Sequence, residues 1–332
     1  MFHKRLAEER GATMVIVALS IVALFGLAGL VIDGGRAYSD RREVQNAADS
    51  AALAGATKLS SIMHTPAADE SQILTAVTAS ITANGTNDGF DCNLVDASGT
   101  TISACPTSDL VSLPAGTAGV TVTARDEQAT TFMRVLGKDS FDASAPATAQ
   151  VQALRGGTAP FMICGLPAAQ GGQDPQLLLP SGSDWVINSS AVYPGNTTEY
   201  KIHDQNGPGS CGGGSNGFKG LADSSKTYSL PGWWDNDTGT RAGPVRQFLA
   251  SSNACDSNLT VGCQLVVPIC MTSNGGTGTN LKMWCVGMGT FRITHSTNND
   301  HWGYFIGASI VSSGQGGGVP TAAEARIIKL SE

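Results

Sequence analysis

Two short acidic segments have side chains that bind divalent cations, but neither completes a metal-binding pattern. In "DASGT", residues 96–100, Thr100 replaces the last Ser of the metal-adhesion pattern D-x-S-x-S, and no long apolar strand precedes the segment. "DNDTGT" begins at Asp235 like an oxygen-lined calcium loop. Thr240 takes its sixth position, where such a loop needs Gly, and no Glu follows at the twelfth. We therefore predict polar turns here, and no bound metal or cofactor.

The histidines and cysteines also lack the spacing of a catalytic group. His295, Asp300 and His301 lie in "THSTNNDHWG", a predicted loop between strands that does not match a zinc-binding helix. Catalysis by a Cys–His pair needs a free thiolate, whereas we expect the cysteines to be paired. The glycine-rich stretches lack the lysine and helix start of a phosphate-binding loop. The sequence therefore predicts no enzyme, and an envelope enzyme is the least favoured hypothesis.

The eight cysteines indicate disulfide bonds. None forms a CxxC pair, which argues against a zinc ribbon, and all of them follow the apolar N-terminal segment. An even number of cysteines on one side of such a segment is typical of an oxidising compartment, and eight buried free thiols are the alternative. Proximity alone favours the pairs Cys92–Cys105 and Cys255–Cys263, and the sequence leaves the connectivity open. The candidates are Cys92, Cys105, Cys164, Cys211, Cys255, Cys263, Cys270 and Cys285.

The composition favours an exported protein rich in strands and loops. Charged residues make up only 14% of the 332 residues, well below the usual quarter, and there are 41 glycines. The net charge of −7 argues against a nucleic-acid partner, which would need a basic face. A chain of this length can bury one large core or two ordinary ones.

Residues 11–32 carry no charge and form a predicted membrane span. As a helix they reach roughly 33 Å, enough to cross the hydrocarbon core of a bilayer. A secretory leader has a shorter apolar centre and an A-x-A-like cleavage site, and neither is present here. The alternatives are a cleaved leader and a buried core helix. Basic residues flank both ends almost equally, so the cysteines and the large polar region favour a cytoplasmic N-terminus.

Small residues recur along the predicted span, and glycines follow its end. The stripe of Ser20, Ala23, Gly26 and Gly29 would let another helix approach closely, although a true GxxxG is missing. At the exit, Asp33 can reach the headgroups, and Gly34 and Gly35 each weaken a helix by about 1 kcal/mol. We expect a bend or a melted joint at these glycines.

Helical periodicity resumes after the glycines. Val44, Ala48, Ala51 and Gly55 form a narrow face of small residues, which can pack closely but buries little area. A second helix is predicted to start at Thr65-Pro66 and to end at Asn84-Gly85. Its apolar face would consist of Ile73, Val77 and Ile81.

A small α+β module and a β-rich region are predicted after these helices. "GVTVTAR" and "SFDASAPATAQVQ" alternate like strands, with Pro146 favouring a sheet edge, and between them "TTFMRVLG" indicates helical turns that end at Gly137. A linker is predicted at residues 155–160, followed by short strands and glycine-rich loops. The predicted fold class is α+β: one N-terminal transmembrane helix continuing into an Ala-rich helix, a small α+β module, and a disulfide-stapled β-rich domain.

Residues 9–56 resemble the N-terminus of TadG-like proteins of the Tad (tight adherence, Flp pilus) assembly family. The matching pieces are Arg10-Gly11 before the span, the exit "GLAGLVIDGGRAY", and "QNAADSAALAGA". A weaker similarity covers residues 120–151. The resemblance implies a bacterial inner-membrane protein of pilus assembly, with the bilayer and other assembly proteins or pilins as partners, and no enzyme.

The resemblance also bears on processing of the N-terminus. Pilin-like members are cut after a Gly and carry Glu at the fifth mature position. A cut between Gly11 and Ala12 would place Ile16 there, so we expect neither processing by a prepilin peptidase nor incorporation as a pilin.

The sequence thus predicts an anchored envelope protein that docks other proteins, with a homo-oligomer left open. The alternative is a secreted or surface-exposed adhesin or ligand-binding module released from its N-terminal segment. The expected divisions are a cytoplasmic tail (1–10), the span (11–32), a juxtamembrane helix with the α+β module (33–155), and a β-rich periplasmic or extracellular domain (156–332).

Overall fold

The structure is a computed structural model. Its described residues are 2–64, 68–85, 88–109, 112–159, 162–170, 172, 174–193, 196–203, 226–235, 264–274, 280–296, 300–307, 310–311, 314–321 and 323–331.

Helix α1 (Phe2–Ile62) is one uninterrupted α-helix of 61 residues. The expected bend or melted joint at Gly34 and Gly35 is therefore wrong. A break at this point would leave backbone amides and carbonyls unpaired at the end of an apolar segment, which costs more than the low helix propensity of two glycines. The apolar segment and the Ala-rich segment thus form a single rod.

Helix α2 (Ser71–Ala83) starts later than predicted. The carboxylate of Asp69 accepts a hydrogen bond from the Ser71 amide (3.0 Å), and Thr65-Pro66 lie outside the described residues. The end at Asn84 and Gly85 is confirmed, since both amides bond to carbonyls of the last turn. The predicted buried face is also confirmed and consists of Ile73, Val77 and Ile81.

After α2, strands make up most of the described residues, together with 3-10 turns at Met133–Leu136 and Ala168–Gln170. The strands are β1 (Phe90–Val95), β2 (Thr101–Ala104), β3 (Gly119–Ala129), β4 (Ser140–Gly157), β5 (Ile163–Cys164), β6 (Leu178–Ser181), β7 (Asp184–Ile187), β8 (Tyr200–His203), β9 (Tyr228–Ser229), β10 (Gly232–Asp235), β11 (Gln264–Ser273), β12 (Lys282–Ser296), β13 (Asp300–Gly307), β14 (Ile310–Val311), β15 (Gln315–Gly317) and β16 (Arg326–Ser331).

The first sheet has the order β14-β16-β4-β3-β1-β2 and carries both helices on one face. Strand β4 buries Ala143, Ala145, Ala147 and Ala149 on alternate positions, as the sequence predicted. The small face of α1 lies against this row, so small residues meet small residues and the backbones approach closely. Gly55 sits where α1, α2 and β3 meet: a Cβ there would lie 2.8 Å from Val77 Cγ2 and 3.1 Å from Val120 Cγ1.

Strand β4 is an inner strand from Thr148 onward, but among the described residues Pro146 is paired only with β3, so the edge predicted from Pro146 is confirmed at that position. It pairs with β3 over Ser140–Gln150, but pairing with β16 begins only at Thr148. Pro146 therefore lies just beyond the end of β16, where its missing amide interrupts no second ladder.

The C-terminal strand β16 belongs to the first sheet and reaches back to the end of α1. A guanidinium N–H of Arg326 donates to the carbonyl of Ser60, and His64 Nε2 lies 2.9 Å from the carbonyl of Pro320. Burial lowers the pKa of Arg326 to about 10. The first residues of the predicted linker, starting with Arg155, continue β4, and Arg155 pairs with Glu324 at 2.6 Å.

The second sheet has the order β5-β11-β12-β13-β8, with β10 beside β12. A core shared with the first sheet joins the two sheets, since Leu154 and Ile327 pack in one cluster with Met283 and Met288. The β6–β7 hairpin contributes to the core on the other side, which contains Phe291 and Phe305.

Disulfide bonds connect neighbouring strands in both sheets. The predicted Cys92–Cys105 bond is confirmed and closes the β1–β2 hairpin. A further bond joins Cys270 to Cys285 across β11 and β12, and Cys164 is also disulfide-bonded. Cys211, Cys255 and Cys263 lie outside the described residues, so the Cys255–Cys263 pair stays a prediction.

The close approach at Gly55 can be tested against an identical change elsewhere on α1. We expect Gly55→Ala to be less stable than Gly35→Ala by about 1–3 kcal/mol, because the added methyl overpacks Val77 and Val120. A Cβ at Gly35 meets nothing within 4 Å and removes a helix-weakening glycine. Denaturant unfolding of the full chain in detergent measures the difference. Equal midpoints would show that the contact at Gly55 is not tight.

Candidate functional site

Asp33 joins the end of the apolar segment to a loop almost one hundred residues away. Its Oδ1 accepts the amide of Thr131 at 3.1 Å, and its Oδ2 accepts the amides of Phe132 at 2.9 Å and Met133 at 2.6 Å. The side chain is only 3% exposed. These three amides precede or begin the 3-10 turn Met133–Leu136, so the carboxylate supplies acceptors for donors that a helix start leaves unpaired. We call residues 130–139, which connect β3 to β4, the clamp loop.

The clamp loop is closed on itself as well as onto α1. The amide of Thr130 donates to the Asp139 carbonyl (2.9 Å) and the amide of Lys138 to the Met133 carbonyl (3.1 Å). Gly137 ends the turn with a φ of 82°, which favours glycine and confirms the predicted stop. On α1, Arg36 Nη1 donates to the hydroxyl of Thr131 at 2.7 Å. The loop is thus held by hydrogen bonds at both of its ends.

Electrostatics keep Asp33 ionised. Burial raises the pKa of its carboxyl, but hydrogen bonds from Met133, Thr131 and Phe132 and the charge of Arg36 outweigh burial, so the pKa lies below its ordinary value of 3.8. The contribution of a carboxylate with a lowered pKa is fully present above the unfolded value and is lost as the pH falls through the folded one. The clamp is therefore charged at neutral pH.

Phe132 covers the last member of the predicted small-residue stripe. A Cβ at Gly29 would lie 2.4 Å from Phe132 Cβ, so only glycine allows this approach. Gly29 is buried beneath the loop of its own chain, whereas Ser20, Ala23 and Gly26 are exposed along α1. An apolar cleft of about 300 Å³ lies between α1 and the loop, and it is lined by Val22, Phe25, Gly26, Gly29, Leu30, Phe132 and Met133.

Asp40, two turns further along α1, has the opposite electrostatic character. Its side chain is 6% exposed, and its Oδ2 has no hydrogen-bond partner among the described residues. Burial raises the pKa of Asp40, the charge of Asp126 and a hydrogen bond to it raise the pKa further, and Glu43 adds to the effect. A hydrogen bond from Gln128 opposes the shift only in part.

Among the described residues, the segments that suggested metal binding do not come together as a site, and residues 236–240 lie outside the described part of the chain. Asp96 closes a turn by accepting the amides of Ser98 (2.8 Å) and Thr100 (2.9 Å), which confirms the predicted turn. Asp235 is held by Lys226 at 2.7 Å and Lys282 at 3.2 Å. Within the described ranges no three His, Cys, Asp or Glu side chains converge.

The loop predicted around the C-terminal histidines is mostly strand. His295 lies in β12, and Asp300 and His301 lie in β13, where His301 pairs with Ser296 of β12. The alternating apolar residues on both sides extend the hairpin further than the polar letters of "THSTNNDHWG" indicated.

A second, larger cleft of about 830 Å³ lies over the second sheet. Three tryptophans line it, and the Trp233 and Trp284 rings meet edge to face at 5.4 Å. Trp185 of the β6–β7 hairpin forms another part of the wall, beside the Arg155–Glu324 ion pair. Aromatic faces with a few polar groups in a concave surface can bind a ligand.

Residues 11–58 match the family model described as Tad, putative Flp pilus-assembly TadE/G-like. This chain carries a Tad domain. The resemblance inferred from the sequence is confirmed over this region, and the family is one of pilus assembly and generally non-catalytic. Comparison with curated proteins gave no match, and comparison with solved structures gave none.

The Tad domain contains Asp33, Gly29 and the alanine face, but the clamp loop lies outside it. Sequence reasoning placed Asp33 at the exit of the apolar segment and missed its partners Thr131, Phe132 and Met133. The sequence contained two hints of this contact: the acid Asp33 next to a long apolar run, and the apolar pair Phe132 and Met133 inside the predicted turn "TTFMRVLG".

Replacing Asp33 tests the clamp. In Asp33→Asn one carboxylate oxygen becomes an NH₂ group, so we expect the amides of residues 131–133 to exchange with deuterium roughly five- to tenfold faster, the factor for one lost hydrogen bond. Asp49→Asn makes the same change on α1 in a residue that contacts Gln45, and it should leave these amides unchanged. Equal exchange in both variants would contradict the clamp.

Asp40 should weaken the fold at neutral pH. Because its folded-state pKa is above the ordinary 3.8, stability falls as the pH rises from 3.8 through the folded pKa, and there is no penalty below 3.8. We expect Asp40→Asn to raise the melting temperature at pH 7 by roughly 2–4 °C and to give no gain at low pH. A gain that is independent of pH would show that the charge is not the cause.

Proposed function

We propose that this chain is a membrane-anchored envelope protein that acts in Tad/Flp-type pilus assembly by docking other proteins, without catalysis. The proposal rests on the continuity of α1, which joins an exposed apolar segment to the buried core of the first sheet. Membership of a pilus-assembly family implies partners in the assembly machinery.

The exposure of the apolar segment supports a membrane anchor. The large apolar side chains of residues 14–32 are between 44% and 76% exposed, whereas a core helix of a soluble domain would bury one face. The helix is long and apolar enough to cross a bilayer, a property that a signal sequence shares. The bound carboxylate at the exit favours an anchor that stays attached, because Asp33 is part of the folded domain.

The disulfides favour an orientation with residues 1–10 in the cytoplasm and the folded region in the periplasm or at the surface. Cys92–Cys105 and Cys270–Cys285 both follow the apolar segment, and such bonds persist in oxidising compartments. We accordingly assign residues 11–32 to the inner-membrane span. We assign 33–155 to the juxtamembrane helix and α+β module, and 156–332 to the β-rich domain, whose strand β16 completes the sheet of the module.

The span itself offers a surface to partners in this arrangement. Ser20, Ala23 and Gly26 offer a small-residue face within the span to a membrane protein, a pilin or a second copy of the chain. Because α1 is continuous and clamped at Asp33, a force applied to the β-rich domain passes to the span without a joint. A rigid tether of this kind suits a protein that holds a partner during assembly.

The alternative is a released adhesin or ligand-binding module, and the cleft lined by Trp185, Trp233 and Trp284 favours it. A ligand there could also be bound by the anchored protein, so the state of the N-terminus decides between the two hypotheses. The anchor requires residues 11–32 on the mature chain, whereas release requires their loss.

We expect the full chain, produced in bacteria that carry a Tad system, to remain in membranes after alkaline carbonate and to keep its original N-terminal residues. Ile21→Arg places a charge near the middle of the span, which costs about 2.5–3.5 kcal/mol for insertion, and should reduce retention. Deletion of the gene should abolish piliation. Expression of the unchanged protein should restore piliation, and expression of Ile21→Arg should not. A soluble product that begins after Ile32 would instead support the released module.

A further inference from the structure

The clamp loop presents apolar side chains beside the proposed membrane span. Phe132 and Met133 are partly exposed, and both line the cleft against Val22, Phe25 and Leu30 of α1. A soluble loop of this length ordinarily turns polar residues outward. Here the apolar pair extends the apolar band of α1.

The level of this contact along α1 places it within lipid. Gly29, which touches Phe132, precedes Asp33 by four residues and so lies about 6 Å nearer the membrane centre than the carboxylate. Val22, at the far end of the cleft, lies about 16 Å beyond Asp33 along the helix axis. If residues 11–32 span the bilayer, the tip of the loop must lie in its hydrocarbon region.

The residues around the tip fit the boundary between hydrocarbon and headgroups. Arg36 and Thr131 are hydrogen-bonded to each other next to Asp33, and Arg134 and Lys138 are exposed on the loop. Arg134 pairs with Asp139 at 3.2 Å. An apolar tip with basic residues behind it is typical of segments that lie in a membrane interface.

We propose that the clamp loop is a lipid-embedded wedge. Phe132 and Met133 enter the leaflet on the side of the folded region, and an acyl chain of that leaflet fills the cleft between the loop and residues 22–30 of α1. The inference rests on the proposed membrane span and adds a second point of insertion. Two points of insertion fix the tilt of α1 and the first sheet relative to the membrane plane, which a single helix would leave free.

The test measures the depth of the loop in the full chain, reconstituted in phosphatidylcholine and phosphatidylglycerol vesicles with brominated acyl chains. Phe132→Trp places a fluorophore at the tip, and the parent protein supplies the background from its five tryptophans. We expect the emission added at position 132 to be blue-shifted and mostly lost on bromination. Phe90→Trp is the matched control, since Phe90 pairs with Ala124, about 20 Å from the loop along β3. Its emission should persist.

Each other outcome overturns the wedge in a recognisable way. Failure of the parent protein to float with vesicles would remove the span and the wedge together. Flotation with an unquenched Trp at position 132 would remove the wedge alone, and quenching at position 90 as well would mean that the whole sheet lies on the membrane. An unquenched Trp whose emission depends on protein concentration would assign the cleft to a second copy. If Phe132→Trp does not fold, Met133→Trp allows the same measurement of quenching at the tip of the loop.

Discussion

The close packing of helix α1 on the first sheet is the constraint on which the rest of the structure depends. Alanines of the helix lie against the alternating alanines of β4, and Gly55 lets α1 approach Val77 and Val120. Small side chains bury little area each, so stability has to come from close contact over a long surface. This surface is long because α1 is continuous, and continuity in turn fixes the helix axis on both sides of Asp33.

The clamp at Asp33 follows from that geometry. The continuous helix α1 brings Asp33 beside the turn between β3 and β4, because those strands run along the helix and meet at this turn. The carboxylate then has three backbone amides within hydrogen-bond distance, and their donation outweighs the effect of burial on its pKa. Asp40 shows the contrast: burial and the neighbouring carboxylate of Asp126 raise its pKa, because among the described residues no set of backbone amides opposes them.

The second half of the chain packs against the first sheet and α1 and does not stand apart from them. Strand β16 enters the first sheet beside β4, Arg326 bonds to the carbonyl of Ser60, and one apolar cluster contains residues of both sheets. A movement of the tryptophan-lined cleft would therefore be transmitted to α1 through β4, which runs from the clamp loop to Arg155 at the cleft.

The sequence by itself determined the elements whose signal is local. The apolar run, the alanine face, the buried face of α2, the turn at Asp96 and the stop at Gly137 all follow from side-chain periodicity or from residues suited to turns. The Cys92–Cys105 bond followed from the short separation of its cysteines.

Tertiary structure decided what depends on distant neighbours. The glycines at positions 34 and 35 stay helical because the flanking segments hold the helix, and Pro146 is accepted in an inner strand because β16 ends before it. Asp33 finds its partners almost one hundred residues away. No local pattern encodes such a contact, since it exists only once β3, β4 and α1 have been packed side by side.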